Sequence, residues 1–376
     1  MRAVTDAFEG MGPILPLGPN REQPAALAGW SPFGPRGWLA ALPPTAAALI
    51  ATSGSSGEPK LVVLSASALQ ASADATHAHL GGAGRWLLAL PAHHIAGFQV
   101  VVRSVLAGTS PKLLPAGSFT AAAFTAAAES LISGPEPAYV SLVPTQLSRL
   151  IKDDTARHTL AGFSAVLIGG ALLPASLASA AAEAGINVVH TYGMSETAGG
   201  CVYDGTPLKG VQWRLAADGR IWLSGPMLAE GYLGQPQLNA STFPVENSTR
   251  WFRTSDFGRE TEGKLEVGGR IDDVIISGGV NLAPTEIENA LTRHPHVTEA
   301  VVVGVPDPEW GQRVVALVTT AVTQEELQQL VRQHLGSVAV PKQIFTVGQL
   351  PTLESGKIDR AAALQVANSL CEPSVE

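Results

Sequence analysis

Four hydroxyls, two glycines and a lysine crowd into Thr52-Ser53-Gly54-Ser55-Ser56-Gly57-Glu58-Pro59-Lys60. Apolar runs at residues 46–51 and 61–64 flank this stretch and read as strands. Glycines let backbone N–H groups approach an anion closely, hydroxyls donate hydrogen bonds, and Lys60 supplies charge. That chemistry suits a polyphosphate, although a plain Gly/Ser-rich surface hairpin has the same composition. The spacing is not that of a Walker loop, which ends Gly-Lys-Ser/Thr; here Lys60 is followed by Leu61.

Four other polar clusters carry candidate chemistry. In His190-Thr191-Tyr192-Gly193-Met194-Ser195-Glu196-Thr197, Glu196 is a hard oxygen donor suited to Mg²⁺, and Tyr192 can cover an aromatic base. Trp251-Phe252-Arg253-Thr254-Ser255-Asp256 ends in a carboxylate able to accept both hydroxyls of a ribose. Gly269-Arg270-Ile271-Asp272-Asp273 and Glu354-Ser355-Gly356-Lys357-Ile358-Asp359-Arg360 complete the set. Taken singly each is weak: a loop carboxylate is usually a solvated charge, and a lysine beside a glycine is an ordinary turn residue.

The elements that position these groups follow from hydrophobic pattern. Strands are expected at residues 85–90, 138–143, 164–168 and 186–191, with helices at 97–107, 144–152 and 174–184. Strands alternating with helices imply a mostly parallel sheet covered on both faces. From about residue 211 the pattern turns to short alternating strands, such as 220–223 and 264–267, which read as a small antiparallel sheet or barrel. A third character begins near Asp272. Residues 284–294 form a helix with proline in its first turn, 300–305 and 314–319 are strands, and Thr323-Gln324-Glu325-Glu326 is a capping box opening a helix to about residue 335.

Composition sets outer limits. The 376 residues are 45% hydrophobic and 15% charged, ample for two or more domains. A net charge of −8 argues against a general nucleic-acid or anionic-membrane binder. Two cysteines, Cys201 and Cys371, give neither a disulfide framework nor metal spacing. With no signal-peptide pattern at the N-terminus, a reducing, cytoplasmic setting is expected. Residues 163–182 are uncharged, but Gly169-Gly170, Pro174 and three serines interrupt them. They read as strand, loop and helix, not as a membrane span.

In this order the motifs resemble the core patterns of the adenylate-forming superfamily, which includes acyl-CoA synthetases, luciferases and peptide-synthetase adenylation domains. The likeness runs from about Ala46 to Arg360. It implies an α/β plus α+β architecture. A large N-terminal ATP- and acid-binding domain, residues 1–270, would contain mostly parallel sheets and a small antiparallel sheet or barrel. A small mobile α+β domain, residues 271–376, would follow a hinge near Asp272. It also implies roles. Thr52, Ser53, Gly54, Ser55, Ser56, Gly57 and Lys60 would hold the ATP phosphates. Gly169, Gly170 and Tyr192 would flank adenine, and Asp256 and Arg270 would hold ribose. Ser195 would touch the α-phosphate, Glu196 would bind Mg²⁺, Ser277, Gly278 and Gly279 would approach the arm of coenzyme A, and Lys357 would catalyse adenylation. Three departures stand out: Ser255 replaces the usual glycine, Ile276 sits where many relatives carry lysine, and the stretch before the phosphate loop is short.

A narrower likeness lies between the motifs. Leu90-Pro91-Ala92-His93-His94-Ile95-Ala96-Gly97, Ser141-Leu142-Val143-Pro144-Thr145-Gln146-Leu147 and Tyr192 to Gly200 resemble the o-succinylbenzoyl-CoA synthetases, short form. This implies ATP-dependent ligation of an aromatic dicarboxylate to coenzyme A in menaquinone biosynthesis. His94 would lie near the reacting carboxylate, Arg103 would grip the other, and Ser141, Thr145 and Gln146 would complete the wall. Arg103 is also readable as a snorkelling side chain and His94 as a capped loop histidine. Three alternatives stay open: a synthetase for another acid, an adenylation enzyme loading a carrier protein, and a non-catalytic nucleotide-binding protein. Expected partners are a small carboxylic acid, ATP and coenzyme A, with no nucleic acid; a homodimer is left open.

Overall fold

The computed structural model describes the chain apart from residues 19–21, 23, 25–26, 28–36, 54–58, 116, 354–355 and 372–376, and the side chains of Ser53 and Pro59. Gly54, Ser55, Ser56 and Gly57 of the expected phosphate loop therefore lie outside the described residues. The loop's flanks are described. Strands Ala46–Ser53 and Pro59–Ser65 pair antiparallel, with Thr52 opposite Lys60. The first hydroxyl and the cation thus leave the sheet side by side, on a base of buried Ile50, Val62 and Leu64.

A seven-stranded sheet forms the centre. Its spatial order is Lys112–Leu113, Arg85–Leu88, Ala138–Leu142, Ala165–Gly169, Val188–Met194, Gly199–Tyr203 and Thr206–Pro207. Pairing is parallel up to Val188–Met194 and antiparallel beyond it. Alternate residues serve two cores, as the period of a strand dictates. Trp86, Tyr139 and Leu167 pack with Val100 of helix Ile95–Leu106. Leu87, Val140 and Val166 pack on the other face with Phe124, Leu147 and Leu160. Because both faces are covered, Ala138–Leu142 is buried throughout.

An antiparallel half-barrel follows, in which Gln212–Leu215, Arg220–Ser224, Phe252–Thr261 and Lys264–Arg270 pair in sequence. Its inward Ile221, Leu223, Phe252 and Leu265 join the core beneath the hairpin of Ala46–Ser53 and Pro59–Ser65. The C-terminal domain is a five-stranded sheet built around Ala300–Asp307 and Gly311–Val318. Helices Pro284–Leu291 and Gln324–Leu335 cover one face, with Ile287, Leu291, Leu327 and Val331 buried against it. Helix Arg360–Cys371 covers the other with Ala363 and Ala367. Arg360 ties this domain together. Its guanidinium meets Glu288 at 2.7 Å and Asp273 at 3.3 Å, and donates to the Val302 carbonyl at 2.7 Å.

Element boundaries differ from the sequence expectation where pairing, not composition, decides them. Val188–Met194 runs through Tyr192 and Gly193 because Gly199–Tyr203 folds back and pairs with it. Arg85–Leu88 stops two residues before the expected end, where its pairing with Ala138–Leu142 and Lys112–Leu113 runs out. Helices Ala66–His79 and Ala121–Ile132 are so rich in alanine that their sequences show little polar–apolar contrast. The expected capping box is half formed. Thr323 Oγ1 accepts from the Glu326 N–H at 3.4 Å, but the Glu326 carboxylate meets His294 at 3.1 Å.

Candidate active site

The expected functional residues gather at the C-terminal ends of the parallel strands, where open α/β sheets bind ligands. His94 follows Arg85–Leu88, Val143 to Gln146 follow Ala138–Leu142, Gly170 follows Ala165–Gly169, and Ser195 and Glu196 follow Val188–Met194. Gly170 lies at φ +80°, and a Cβ there would stand 2.6 Å from Cε of Lys357. The lysine stem therefore lies directly over this glycine, bringing residues 170 and 357 into one site. Gly169 has a different reason to be glycine: a Cβ would meet the Thr191 hydroxyl of the neighbouring strand at 2.4 Å.

Asp256 is the second anchor. It is buried, and it faces Arg270 directly across the strand pair Phe252–Thr261 and Lys264–Arg270. The Tyr192 hydroxyl donates to Oδ2 at 2.7 Å, and Arg270 Nη1 approaches Oδ1 at 3.5 Å. Burial raises the Asp256 carboxyl above its usual range, against the Tyr192 hydrogen bond and the Arg270 charge. Burial and the adjacent Asp256 carboxylate push the Tyr192 phenol well up. It is a donor at neutral pH. Thr254, not singled out by the sequence, holds the bend: its hydroxyl donates to the Ile221 carbonyl at 2.8 Å and accepts from the Asp256 N–H at 3.0 Å. Arg270 also reaches Asp272 at 3.0 Å, so one guanidinium joins the expected ribose carboxylate to the expected hinge.

Glu196 is held from two sides. Its carbonyl accepts from the Ala229 N–H at 2.8 Å, and its Oε1 accepts from the Tyr232 hydroxyl at 2.8 Å. Lys60 Nζ stands 5.4 Å from the centre of the Tyr232 ring. Burial raises the Glu196 carboxyl, with Tyr232 and Lys60 opposing it. The turn carrying Ser195 and Glu196 is fastened from beneath. Ser72 Oγ and Gln99 Nε2 both donate to the Ala198 carbonyl, at 2.8 and 2.7 Å, and Ala198 takes a left-handed φ of 48°. Tyr232 and Gln99 escaped the sequence reading, since neither sits in a polar loop; only Glu230-Gly231-Tyr232 hints at a turn.

Could Mg²⁺ be held here? Among the described residues no cluster of three or more His, Cys, Asp or Glu is placed to hold a metal. Among the described residues Glu196 is the one carboxylate of this turn, with the Tyr232 hydroxyl on Oε1 and the charge of Lys60 acting on it. A single carboxylate that leaves other positions to phosphate and water matches how Mg²⁺ is usually held.

The residues expected around the acid are more dispersed. His94 precedes helix Ile95–Leu106 and its ring lies tilted against that of His93, centroids 4.2 Å apart and planes at 45°. Arg103 lies nine residues on, so about 13 Å along the axis, and helical side chains tilt back toward the N-terminus. It is 3% exposed; its guanidinium lies over Trp86 at 5.0 Å and reaches the Tyr203 hydroxyl only at 3.5 Å. Burial lowers its pKa, and no carboxylate pairs with it among the described residues. Ser141 is buried within its strand. Gln146 is committed elsewhere: its Oε1 accepts from the Val143 N–H at 3.1 Å and its Nε2 donates to the Ala89 carbonyl at 3.0 Å. Thr145 donates to the Gly356 carbonyl at 2.8 Å.

Lys357 itself sits in a turn closed by the Leu353 N–H on its carbonyl, 2.8 Å. Burial, then the positive charge of Arg270, lower its pKa, while Asp256 opposes. Ser277, Gly278 and Gly279 form a tight hairpin between Ile275–Ser277 and Val280–Leu282, with φ of 57° and 79° at the two glycines. The Gly278 N–H donates to the Trp310 carbonyl at 2.9 Å, and a Cβ at 278 would strike the indole at 2.9 Å.

A profile described as AMP-binding enzyme matches residues 38–233, and one described as AMP-binding enzyme C-terminal domain matches residues 286–357. The chain is 44% identical to a probable 2-succinylbenzoate–CoA ligase of Mycobacterium tuberculosis, over 85% of this chain and 84% of that one. Its fold is similar to that of an amide bond synthetase from Marinactinospora thermotolerans (TM-score 0.76, 29% identity, 86% of this chain and 69% of the other). It is also similar to the o-succinylbenzoate CoA synthetase of Bacillus subtilis, solved in complex with its acyl-adenylate intermediate (TM-score 0.71, 28% identity, 87% and 69%).

Proposed function

The chain belongs to the AMP-binding, adenylate-forming enzyme family, and from that premise we propose that it ligates o-succinylbenzoate to coenzyme A through an acyl-adenylate. The observation that carries the choice of acid is Arg103. Among the described residues no carboxylate pairs with its buried guanidinium, an arrangement that is costly, and a substrate with a second carboxylate would supply a partner. The name carried by the mycobacterial relative supports the same acid.

In the first step the aliphatic carboxylate attacks the α-phosphorus of ATP and pyrophosphate leaves. No general base is needed, because a carboxylate is ionised at neutral pH. The difficulty is an anion attacking a polyanion. Lys357, held over Gly170, sets a positive charge beside the reacting groups. Asp256, oriented by Tyr192 and Arg270, accepts the ribose hydroxyls. Lys60 and Thr52 flank the triphosphate. Glu196 would hold Mg²⁺, which neutralises phosphate charge when bound. In the second step the thiol of coenzyme A attacks the acyl carbonyl, AMP leaves, and the thiol proton passes to solvent. Residues 277–279 would guide the pantetheine arm after the C-terminal domain turns about Asp272.

The test is AMP release with coenzyme A across o-succinylbenzoate, benzoate, coumarate and fatty acids. o-Succinylbenzoate should give the highest kcat/KM; benzoate as an equal substrate would overturn the assignment. Replacing coenzyme A by an amine or a carrier protein checks the acceptor, since one structural relative makes amides.

A further inference from the structure

We infer that Thr145 is a latch that holds the C-terminal domain in the adenylating orientation, not a wall of the acid pocket. Thr145 Oγ1 donates to the Gly356 carbonyl at 2.8 Å, a contact spanning 211 residues of chain. It joins the first turn of helix Pro144–Ile151 to the residue immediately before Lys357. The contact is shaped on both sides. Gly356 has φ +79°, and a Cβ there would lie 3.1 Å from Val143 Cγ2 and 3.6 Å from Thr145 Oγ1. Lys357 then passes over Gly170, where a Cβ would meet its stem at 2.6 Å. Val143, Thr145 and Gly170 thus form a shallow seat for residues 356 and 357.

Its neighbour frees Thr145 for this task. Gln146 satisfies the Val143 N–H and bonds Ala89, so the turn is closed without the threonine hydroxyl. The latch bond exists only while Lys357 is seated. When the domain turns for the thiol step, the Gly356 carbonyl leaves and the hydroxyl is released. The latch therefore stabilises one half-reaction and is silent in the other.

The inference rests on the two-step reading, and the experiment separates them. Thr145→Val keeps the shape and removes the donor; Thr145→Ser keeps the donor. A typical net hydrogen bond corresponds to a factor of roughly two to ten. Thr145→Val should slow acyl-adenylate formation by about that factor with the KM for the acid unchanged, and leave thioester formation from supplied acyl-adenylate at the wild-type rate. Thr145→Ser should restore the first step. A raised acid KM, equal loss in both steps, or no loss in either would overturn the latch. A second readout needs no chemistry: spin labels at Glu129→Cys and Gln333→Cys, in a Cys371→Ser background, report the interdomain distance. Thr145→Val should broaden that distribution in the ligand-free protein and Thr145→Ser should not. An unchanged distribution overturns the latch even if no acid is ever activated, whereas absence of activity in wild type overturns only the two-step reading.

Discussion

At the scale of single residues, charge without a partner is the informative signal. Arg103 was visible in the sequence as a lone cation among valines, and among the described residues the structure gives it an aromatic face and a distant hydroxyl, with no carboxylate. A charge-assisted contact to a substrate carboxylate is worth roughly 1.5–3 kcal/mol, or about ten- to a hundred-fold. Arg103→Ala is therefore expected to lower kcat/KM for o-succinylbenzoate by that factor, with the KM for ATP unchanged; steady-state kinetics with both substrates decide it. Lys357 makes a pH prediction. Its pKa is lowered in the seated position by burial and by Arg270, so seating releases protons. Seating is thus favoured as pH rises through the lowered pKa toward the ordinary one, whereas the charge that its proposed role in adenylation requires is lost over the same range. Adenylation should fall on an alkaline limb below the usual lysine range while the closed orientation becomes more populated. A pH profile of adenylate formation beside the spin-label distances tests the opposition of the two trends.

At the scale of elements, the sequence was most legible where composition and pairing agree. The hairpin flanking the expected phosphate loop and the buried strands of the central sheet follow directly from apolar runs between glycine and proline signals. What was not legible is long-range. Gln146 and Thr145 looked alike as polar residues after a strand, yet one closes its own turn and the other crosses to the far domain. Tyr232, in a two-residue strand remote from Glu196 in sequence, could only be found by the pairing that brings them together. The turn after Ala165–Gly169 offers a test at this scale. Gly170→Ala places a side chain in a left-handed conformation, at about 1–2 kcal/mol, and pushes the lysine stem aside. The expected outcome is a small drop in denaturant midpoint, a much larger loss of adenylate formation, and an intact thiol step. A loss of adenylation no greater than the loss of folded protein would mean that Lys357 does not need this seat.

For the whole molecule, a large N-terminal part with a half-barrel and a separate C-terminal domain were legible from the changes of pattern along the chain, while the orientation of the C-terminal domain was not, because it rests on a few contacts between distant segments. Asp272 lies in the short turn Ile271–Asp273, whose helical geometry proline can adopt. Asp272→Pro should therefore favour the present orientation: adenylate formation persists and transfer to coenzyme A falls sharply. Separate assays of the two half-reactions measure this, and equal rates in both would remove residue 272 from the hinge. The Arg360 clamp has a mechanical consequence. Asp273 lies one residue beyond the proposed pivot and Arg360 three residues beyond Lys357, and their ion pair braces one to the other while Glu288 and Val302 anchor both to the domain core. With Asp272 as the proposed pivot, the brace would make pivot and lysine two ends of a stiff lever with little backlash. On the proposed rotation about Asp272, Lys357 would leave the nucleotide as soon as the domain turns, and the two reactions would exclude each other by gearing, whatever ligands happen to be bound.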